Sequence, residues 1–200
     1  MTWQAYINEQ LQYYNDTAMN SYQQLSEHEF ERFLTPEVVR VFQIIHSALL
    51  GGATMFAFVV LLLHAQHIDN EPVDAEVVTI MSIVNALFAV GAFGISHILF
   101  ERMFNNQQQN NSISSTNSLY EQSLATIRAA MIVRMAILEG AAFFGLVVCL
   151  IAVTGGVTQQ EPAYLFNLAS YFLFMLVGIN TFPTKNALLD IFRKNILKKI

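Results

Sequence analysis

The chain has 200 residues, of which 54% are hydrophobic and only 12% charged, whereas a soluble domain carries about 25% charged residues. Together with the mean hydropathy of +0.42, this composition favours a membrane protein over a soluble one. The net charge of −5, without a basic face, excludes nucleic-acid binding, and the single cysteine, Cys149, excludes an intramolecular disulfide and a thiolate metal site.

An amphipathic helix is predicted for residues 1–34, ahead of the first apolar run. Trp3, Ile7 and Leu11 recur at helical spacing, and the apolar stripe continues to Leu25. The opposite face is rich in Gln, Asn and Glu, with no basic residue before Arg32. Two interpretations stay open. The stripe is either a docking surface for a partner or a face folded against the protein's own cytoplasmic side.

Four apolar runs are each long enough to cross a hydrocarbon core of about 30 Å as a helix. They cover approximately residues 41–63, 77–100, 129–153 and 163–182. These four runs predict an all-α membrane protein with four transmembrane helices.

Two polar segments complete the chain. Residues 104–124 are poor in apolar side chains over most of their length and are predicted to form a flexible cytoplasmic loop. Residues 185–200 alternate basic and apolar side chains, which predicts a short amphipathic helix suited to an anionic membrane surface.

The placement of Lys and Arg predicts the orientation of the chain. Arg32 and Arg40 precede the first span, Arg102 and Arg128 flank the middle loop, and further basic residues follow the fourth span. All of these fall on one side, so both termini are expected in the cytoplasm. The bilayer itself is the first expected partner, and the inner membrane of a bacterium is the expected location.

A duplication is visible when residues 40–63 are aligned with residues 128–151. Identical pairs include Arg40 with Arg128, Gly52 with Gly140, and Phe56 with Phe144. Apolar composition alone would not readily produce these matches. We therefore expect two parallel helical-hairpin repeats, residues 35–103 and residues 125–184.

The repeat also predicts how the spans pack. Small residues four apart let helix backbones approach closely in lipid, where dispersion drives association. Either the first and third spans meet through these residues, or the same faces contact a second copy of the chain. For the protein as a whole, other membrane proteins or a second copy are the expected partners. The predicted packing residues are Ala48, Gly52, Ala136, Gly140 and Gly145.

Glu139 is an acidic residue near the middle of the third span, and such residues are site candidates by default. One hypothesis makes it a proton- or ion-binding group, with Arg134 one turn and a half away on a different face of the helix. The alternative makes it a buried acid that fastens helices through a hydrogen bond. The candidate bonding partners on other spans are Ser82, Asn85, Ser170 and Tyr171.

His46 and His97 form a second pair of candidates, at similar depth on the first and second spans. Two such imidazoles could ligate a haem b. The alternative is a polar layer that they form together with Arg134. No other cofactor and no metal site is expected. The sequence contains no P-loop, Gly-rich dinucleotide fingerprint, zinc motif or nucleophile elbow. We therefore predict no catalytic residue and expect that the protein is not an enzyme.

Residues 136–148 place an acid before small residues and then an aromatic-Gly-Leu-Val run. This segment resembles the carboxylate-bearing helix of the proteolipid (c) subunits of rotary ATP synthases and V-type ATPases. The resemblance implies that Glu139 matches their ion-carrying carboxylate.

Three functions are thus expected, in order. The first is an accessory or structural subunit of a membrane complex, the second a proteolipid-like proton- or ion-handling protein, and the third a b-haem electron carrier.

Overall fold

The structure, a computed structural model, describes residues 3–4, 7, 26–66, 74–109 and 116–199. These residues are almost entirely helical and contain no strand. The α-helices are α1 (Glu27–Phe33), α2 (Pro36–Ala65), α3 (Ala75–Gln109), α4 (Thr116–Thr154), α5 (Val157–Gln160), α6 (Ala169–Asn180) and α7 (Lys185–Asn195). Two 3₁₀ helices span Pro162–Leu168 and Leu197–Lys199.

Four helical segments of the described chain are long and apolar enough to cross a membrane, which confirms the all-α prediction at this level. They are Pro36–Ala65, Ala75–Asn105, Ser118–Thr154 and Pro162–Asn180. Many apolar side chains of the first, second and fourth spans are exposed, as lipid-facing side chains are, whereas half of the apolar window of the third span is buried. The fourth span is composite, since the 3₁₀ helix Pro162–Leu168 runs into α6.

Local chemistry sets the start of α2. Thr35 Oγ1 accepts a hydrogen bond from the Val38 N–H at 3.4 Å, and Pro36 occupies the first helical position. Ser26 caps α1 in the same way, with extended backbone at φ −112° and ψ 136°.

The prediction of one helix over residues 1–34 is therefore wrong at Ser26, whose side chain caps a new helix instead of continuing an old one. Of the earlier residues, Trp3, Gln4 and Ile7 are helical, and Trp3 and Ile7 are exposed. The rest of the predicted docking surface lies outside the described residues.

The prediction of a loop over residues 104–124 is wrong at both ends. Helix α3 continues to Gln109 and α4 already begins at Thr116. Phe104, Leu119 and Tyr120 are almost fully buried, and this burial stabilises helical ends that look polar in composition. Residues 110–115 lie outside the described part of the chain.

The chain divides into two compact units. The first, here called the terminal unit, comprises Met1–Phe42, Leu99–Met131 and Pro183–Ile200. The second, here called the span unit, comprises Gln43–Ile98 and Ile132–Phe182.

Aromatic packing forms the core of the terminal unit. The rings of Phe30 on α1 and Phe192 on α7 stack with centroids 3.9 Å apart and planes within 6°. Tyr120 on α4 lies beside both rings, and Leu188 is fully buried in the same cluster. The apolar face of α7 is thus packed inside protein and is not free to enter lipid. A membrane contact of its basic side stays a prediction.

Two ion pairs join α1 to α7 at the edge of this core. The Lys185 Nζ lies 2.8 Å from Glu31 Oε1, and the Arg193 guanidinium binds both carboxylate oxygens of Glu27. These groups are exposed, so water and salt weaken their attraction.

Small side chains form the core of the span unit. Ala53 and Ala57 of α2 are buried in one cluster with Leu138 and Ala142 of α4 and with Phe174 of α6. Alanine lets these helices approach closely where no hydrophobic force acts between them. The first and third spans therefore meet in this unit.

Candidate membrane carboxylate site

The contact between α2 and α4 positions the candidate carboxylate. In this contact, the ring centroids of Phe56 on α2 and Phe143 on α4 lie 5.7 Å apart. Glu139 precedes Phe143 by one helical turn, and Gly52 precedes Phe56 by one turn, so the acid and the glycine lie side by side.

Glu139 is half-buried, and its carboxyl group lies over Gly52. The Oε1 atom is 3.9 Å from the position that a Cβ would occupy on Gly52. Within the described part of the chain, the carboxyl has neither a hydrogen bond nor an ion pair, and Arg134 therefore does not neutralise it. The carboxyl group thus lies beside Gly52 and has no polar partner among these residues.

The surroundings of Glu139 correct the packing prediction. Ala48, Gly52, Ala136 and Gly140 are exposed, and nothing approaches the Cβ position of Gly140 within 4 Å. The contact between α2 and α4 is made instead by Ala53 and Ala57 of α2 with Leu138 and Ala142 of α4. The four exposed residues and Glu139 define a surface that we call the carboxylate face.

The fifth predicted residue, Gly145, is buried and tightly packed on another side of α4. A Cβ at this position would collide with the Ser170 hydroxyl and with the Asn167 carbonyl oxygen, and would lie 3.0 Å from Asn85 Nδ2. Gly145 thus packs closely against the fourth span and α3.

A hydrogen-bonded polar cluster surrounds Gly145. Asn85 Nδ2 donates to Asn167 Oδ1 at 3.0 Å, and Asn167 Nδ2 donates to Ser82 Oγ at 2.8 Å and to the Tyr164 carbonyl at 2.9 Å. Ser170 Oγ donates to the Asn167 carbonyl at 2.9 Å. Three of the side chains predicted as partners of Glu139 thus bond within this cluster.

Tyr171, the fourth predicted partner, donates its hydroxyl hydrogen to Thr54 Oγ1 at 3.2 Å. None of the four predicted partners therefore reaches Glu139. Sequence reasoning missed Asn167, although an asparagine in an apolar run, three residues from Tyr164 and from Ser170, was a visible signal.

The two candidate haem ligands lie in different environments. His46 is buried, with its Nε2 atom 2.8 Å from the Gly178 carbonyl oxygen and its ring edge-on to Phe182. Gly178 has no room for a Cβ because Leu50, one turn after His46, covers it. His97 is exposed. His46 thus fastens α2 to α6, a role that the sequence did not indicate.

Among the described residues, no group of three or more His, Cys, Asp or Glu side chains could hold a metal ion. The structure thus brings together Glu139 and the small residues of α2 and α4, and it separates them from the polar cluster at Gly145. Comparison of the chain with family models, with curated proteins and with solved structures finds no match.

Proposed function

We propose that the chain is a non-enzymatic integral membrane protein that serves as an accessory or structural subunit of a membrane complex. The carboxylate face is its contact with another transmembrane helix. The observation that carries this proposal is the Glu139 carboxyl, which lies over Gly52 without a polar partner in the described chain.

Membrane physics connects this observation to a partner. A carboxyl without a hydrogen-bond partner is costly in hydrocarbon, even when protonated. The exposed Ala48, Ala136 and Gly140 leave space for a neighbouring backbone to approach. A helix seated there would bring a donor or acceptor to Glu139 and would bury small residues that contact lipid poorly.

The occupant of the face is a helix of another membrane protein or of a second copy of this chain. A second copy in the same membrane has the same orientation, so its Glu139 lies at the same depth. Two carboxyl groups that share protons satisfy each other. The test below distinguishes these two occupants.

The two-repeat architecture and the orientation belong to the same proposal. Several equivalent residues of the aligned segments have matching exposure: Ala48 and Ala136 are exposed, as are Gly52 and Gly140, whereas Val60 and Val148 are buried. This agreement supports the duplication. The distribution of Arg and Lys supports cytoplasmic termini, and a bacterial inner membrane is the proposed location.

Purification from native membranes tests the contact. Gly140→Leu puts a large side chain on the carboxylate face and is expected to reduce the co-purifying chain, or the tagged second copy, at least tenfold. Gly94→Leu adds the same side chain at an exposed and open position of α3, outside the carboxylate face, and as the matched control it should change nothing. An unchanged yield of every associated chain with Gly140→Leu would contradict the proposal.

A proteolipid-like proton- or ion-handling function is the second candidate, favoured by the same unpaired carboxyl and by the resemblance of residues 136–148. Carbodiimide modification of Glu139 should then be suppressed by high pH or by a cation, and Glu139→Gln should abolish pH-dependent ion flux in liposomes. In the subunit proposal, Glu139→Gln retains hydrogen bonding and keeps the complex. Wild-type flux from Glu139→Gln protein would remove the transport candidate.

The b-haem hypothesis stays a prediction of the sequence. Its two ligands differ in environment, and His46 uses Nε2 in a hydrogen bond with Gly178. An absorbance spectrum of the purified protein without a Soret band would end this hypothesis.

A further inference from the structure

The fourth span changes its helical form midway, and this change has a side-chain cause. Residues Pro162–Leu168 form a 3₁₀ helix of seven residues, whereas such runs rarely exceed three or four. From Ala169 the same span is an α-helix.

Burial along the span follows the change of form. Tyr164 and Asn167 of the 3₁₀ part, and Ser170 at the start of α6, are half-buried or buried at every third residue, while Ala163, Phe166 and Ala169 are exposed. After Ser170, the buried positions Tyr171, Phe174 and Gly178 follow the spacing of an α-helix. A period of three matches the repeat of a 3₁₀ helix, so Tyr164 and Asn167 lie in one row along the helix in that form.

The inward row bonds to α3 at two levels. The Tyr164 hydroxyl lies 2.8 Å from Thr79 Oγ1, and Asn167 bonds to Ser82 and Asn85. The three α3 residues are also three apart in sequence. An α-helix turns 20° less per residue than a 3₁₀ helix. If the segment were α-helical, the five residues between Ala169 and Tyr164 would therefore rotate Tyr164 by roughly 100° about the helix axis, away from α3.

One atom of this arrangement is left unsatisfied. Asn85 Oδ1 is buried and has no hydrogen-bond partner in the described chain. The amide cannot be turned over, because its Nδ2 donates to Asn167 Oδ1 and the Asn167 amide is itself fixed by the Tyr164 carbonyl. The 3₁₀ form thus gains hydrogen bonds to α3. Its costs are the buried, unsatisfied Asn85 Oδ1 atom and backbone hydrogen bonds of poorer geometry than those of an α-helix.

We propose that the N-terminal half of the fourth span is a two-state segment. It is a 3₁₀ helix while Tyr164 and Asn167 engage α3, and it becomes an α-helix when they are released. The change shortens the seven residues by about 3.5 Å, because the rise falls from 2.0 to 1.5 Å per residue, and it draws Glu161 and Pro162 toward α6. The hydrogen bonds of Tyr164 and Asn167 to α3 therefore determine the length of the span.

Pulsed electron paramagnetic resonance on the full chain in lipid nanodiscs tests this proposal. Spin labels at Glu161→Cys and Leu176→Cys, both exposed positions, measure the length of the span, and protein without added cysteines checks that the buried Cys149 takes up no label. Asn167→Leu is expected to shorten the distance by about 3.5 Å. Tyr164→Phe, which removes a single hydroxyl, should give two distances, the original and the shorter one.

Asn180→Leu is the matched control, because that side chain bonds only to the Leu176 carbonyl within its own helix. It should leave the distance unchanged. If Asn167→Leu and Tyr164→Phe both keep the original distance, the proposal is wrong. It is also wrong if the distances become broad or longer, since this indicates local unfolding and not an α-helix. Should Asn167→Leu fail to fold, the Tyr164→Phe result decides alone.

Discussion

Helix α4 has two glycine-containing faces, and they differ in whether the nearby polar groups have hydrogen-bond partners. At Gly145, the missing side chain admits the Ser170 hydroxyl and the Asn167 carbonyl, and polar groups of α3 and the fourth span bond to one another there. At Gly140, the surface is open, and the neighbouring Glu139 has no polar partner in the described chain. The comparison teaches that a glycine in a membrane helix marks a close contact, but not with which molecule. At Gly145 the contact is with another helix of this chain, whereas at Gly140 the proposed contact is with another molecule.

The largest expected effect separates the two glycines directly. Gly145→Ala should lower the free energy of unfolding by about 2–3 kcal/mol, because its Cβ collides with backbone and side-chain atoms that cannot all move away. Gly140→Ala should change it by less than about 0.5 kcal/mol. Unfolding in mixed micelles measures both, and equal values for the two variants would break the comparison.

The second effect concerns the polar cluster. Asn167→Ala removes hydrogen bonds to Ser82, Asn85 and Tyr164 and leaves buried groups unsatisfied, which should cost about 2 kcal/mol of unfolding free energy. Asn180→Ala, an exposed asparagine at the end of the same span, serves as control and should cost less than about 0.5 kcal/mol. A loss for Asn167→Ala no larger than that of the control would show that the cluster does not hold the spans together.

A third, smaller effect is expected at Glu139. Because its carboxyl makes no hydrogen bond within the described chain, Glu139→Leu should change the unfolding free energy of the isolated chain by less than about 1 kcal/mol. The same variant should lose associated chains on purification from native membranes. A marked destabilisation of the isolated chain would mean that Glu139 is a fastener within the molecule.

The smallest effect lies in the terminal unit, where polar groups face water. Hydrogen bonding to Arg193 lowers the pKa of Glu27 below its ordinary value of 4.5, and hydrogen bonding to Lys185 lowers that of Glu31. Because the folded-state pKa values are depressed, this stabilisation is complete above pH 4.5 and is lost as the pH falls through the lowered values.

Amide hydrogen exchange in α7, corrected for intrinsic rates, should therefore become slightly faster below pH 4.5. The double variant Glu27→Gln, Glu31→Gln removes both titrating groups and should abolish this pH dependence. The same dependence in the double variant would assign it to other groups.

The sequence predicts some of these features and not others, for physical reasons. The four spans follow from composition, and the start of α2 follows from Thr35 and Pro36, because both signals are local. Glu139 stands out as an acid in an apolar run. Gly140 and Gly145 look alike in the same run, however, and only the positions of the neighbouring spans decide which one is packed.

Two further features depend on tertiary contacts. The 3₁₀ form of Pro162–Leu168 was not predicted, since a period of three over seven residues resembles that of an α-helix. The ends of α3 and α4 looked like a loop because their polar residues outnumber Phe104, Leu119 and Tyr120, whose burial stabilises them.

Site-specific photocrosslinking in native membranes tests the central claim most directly. A photoreactive side chain at Ala136, beside Glu139 on the carboxylate face, is compared with one at Val90, an exposed position of α3 that is not part of this face. We expect a discrete crosslinked product from position 136, either with another membrane protein or with a second copy of the chain, and none from position 90. Lipid adducts alone at both positions, or the same product from both, would contradict the account.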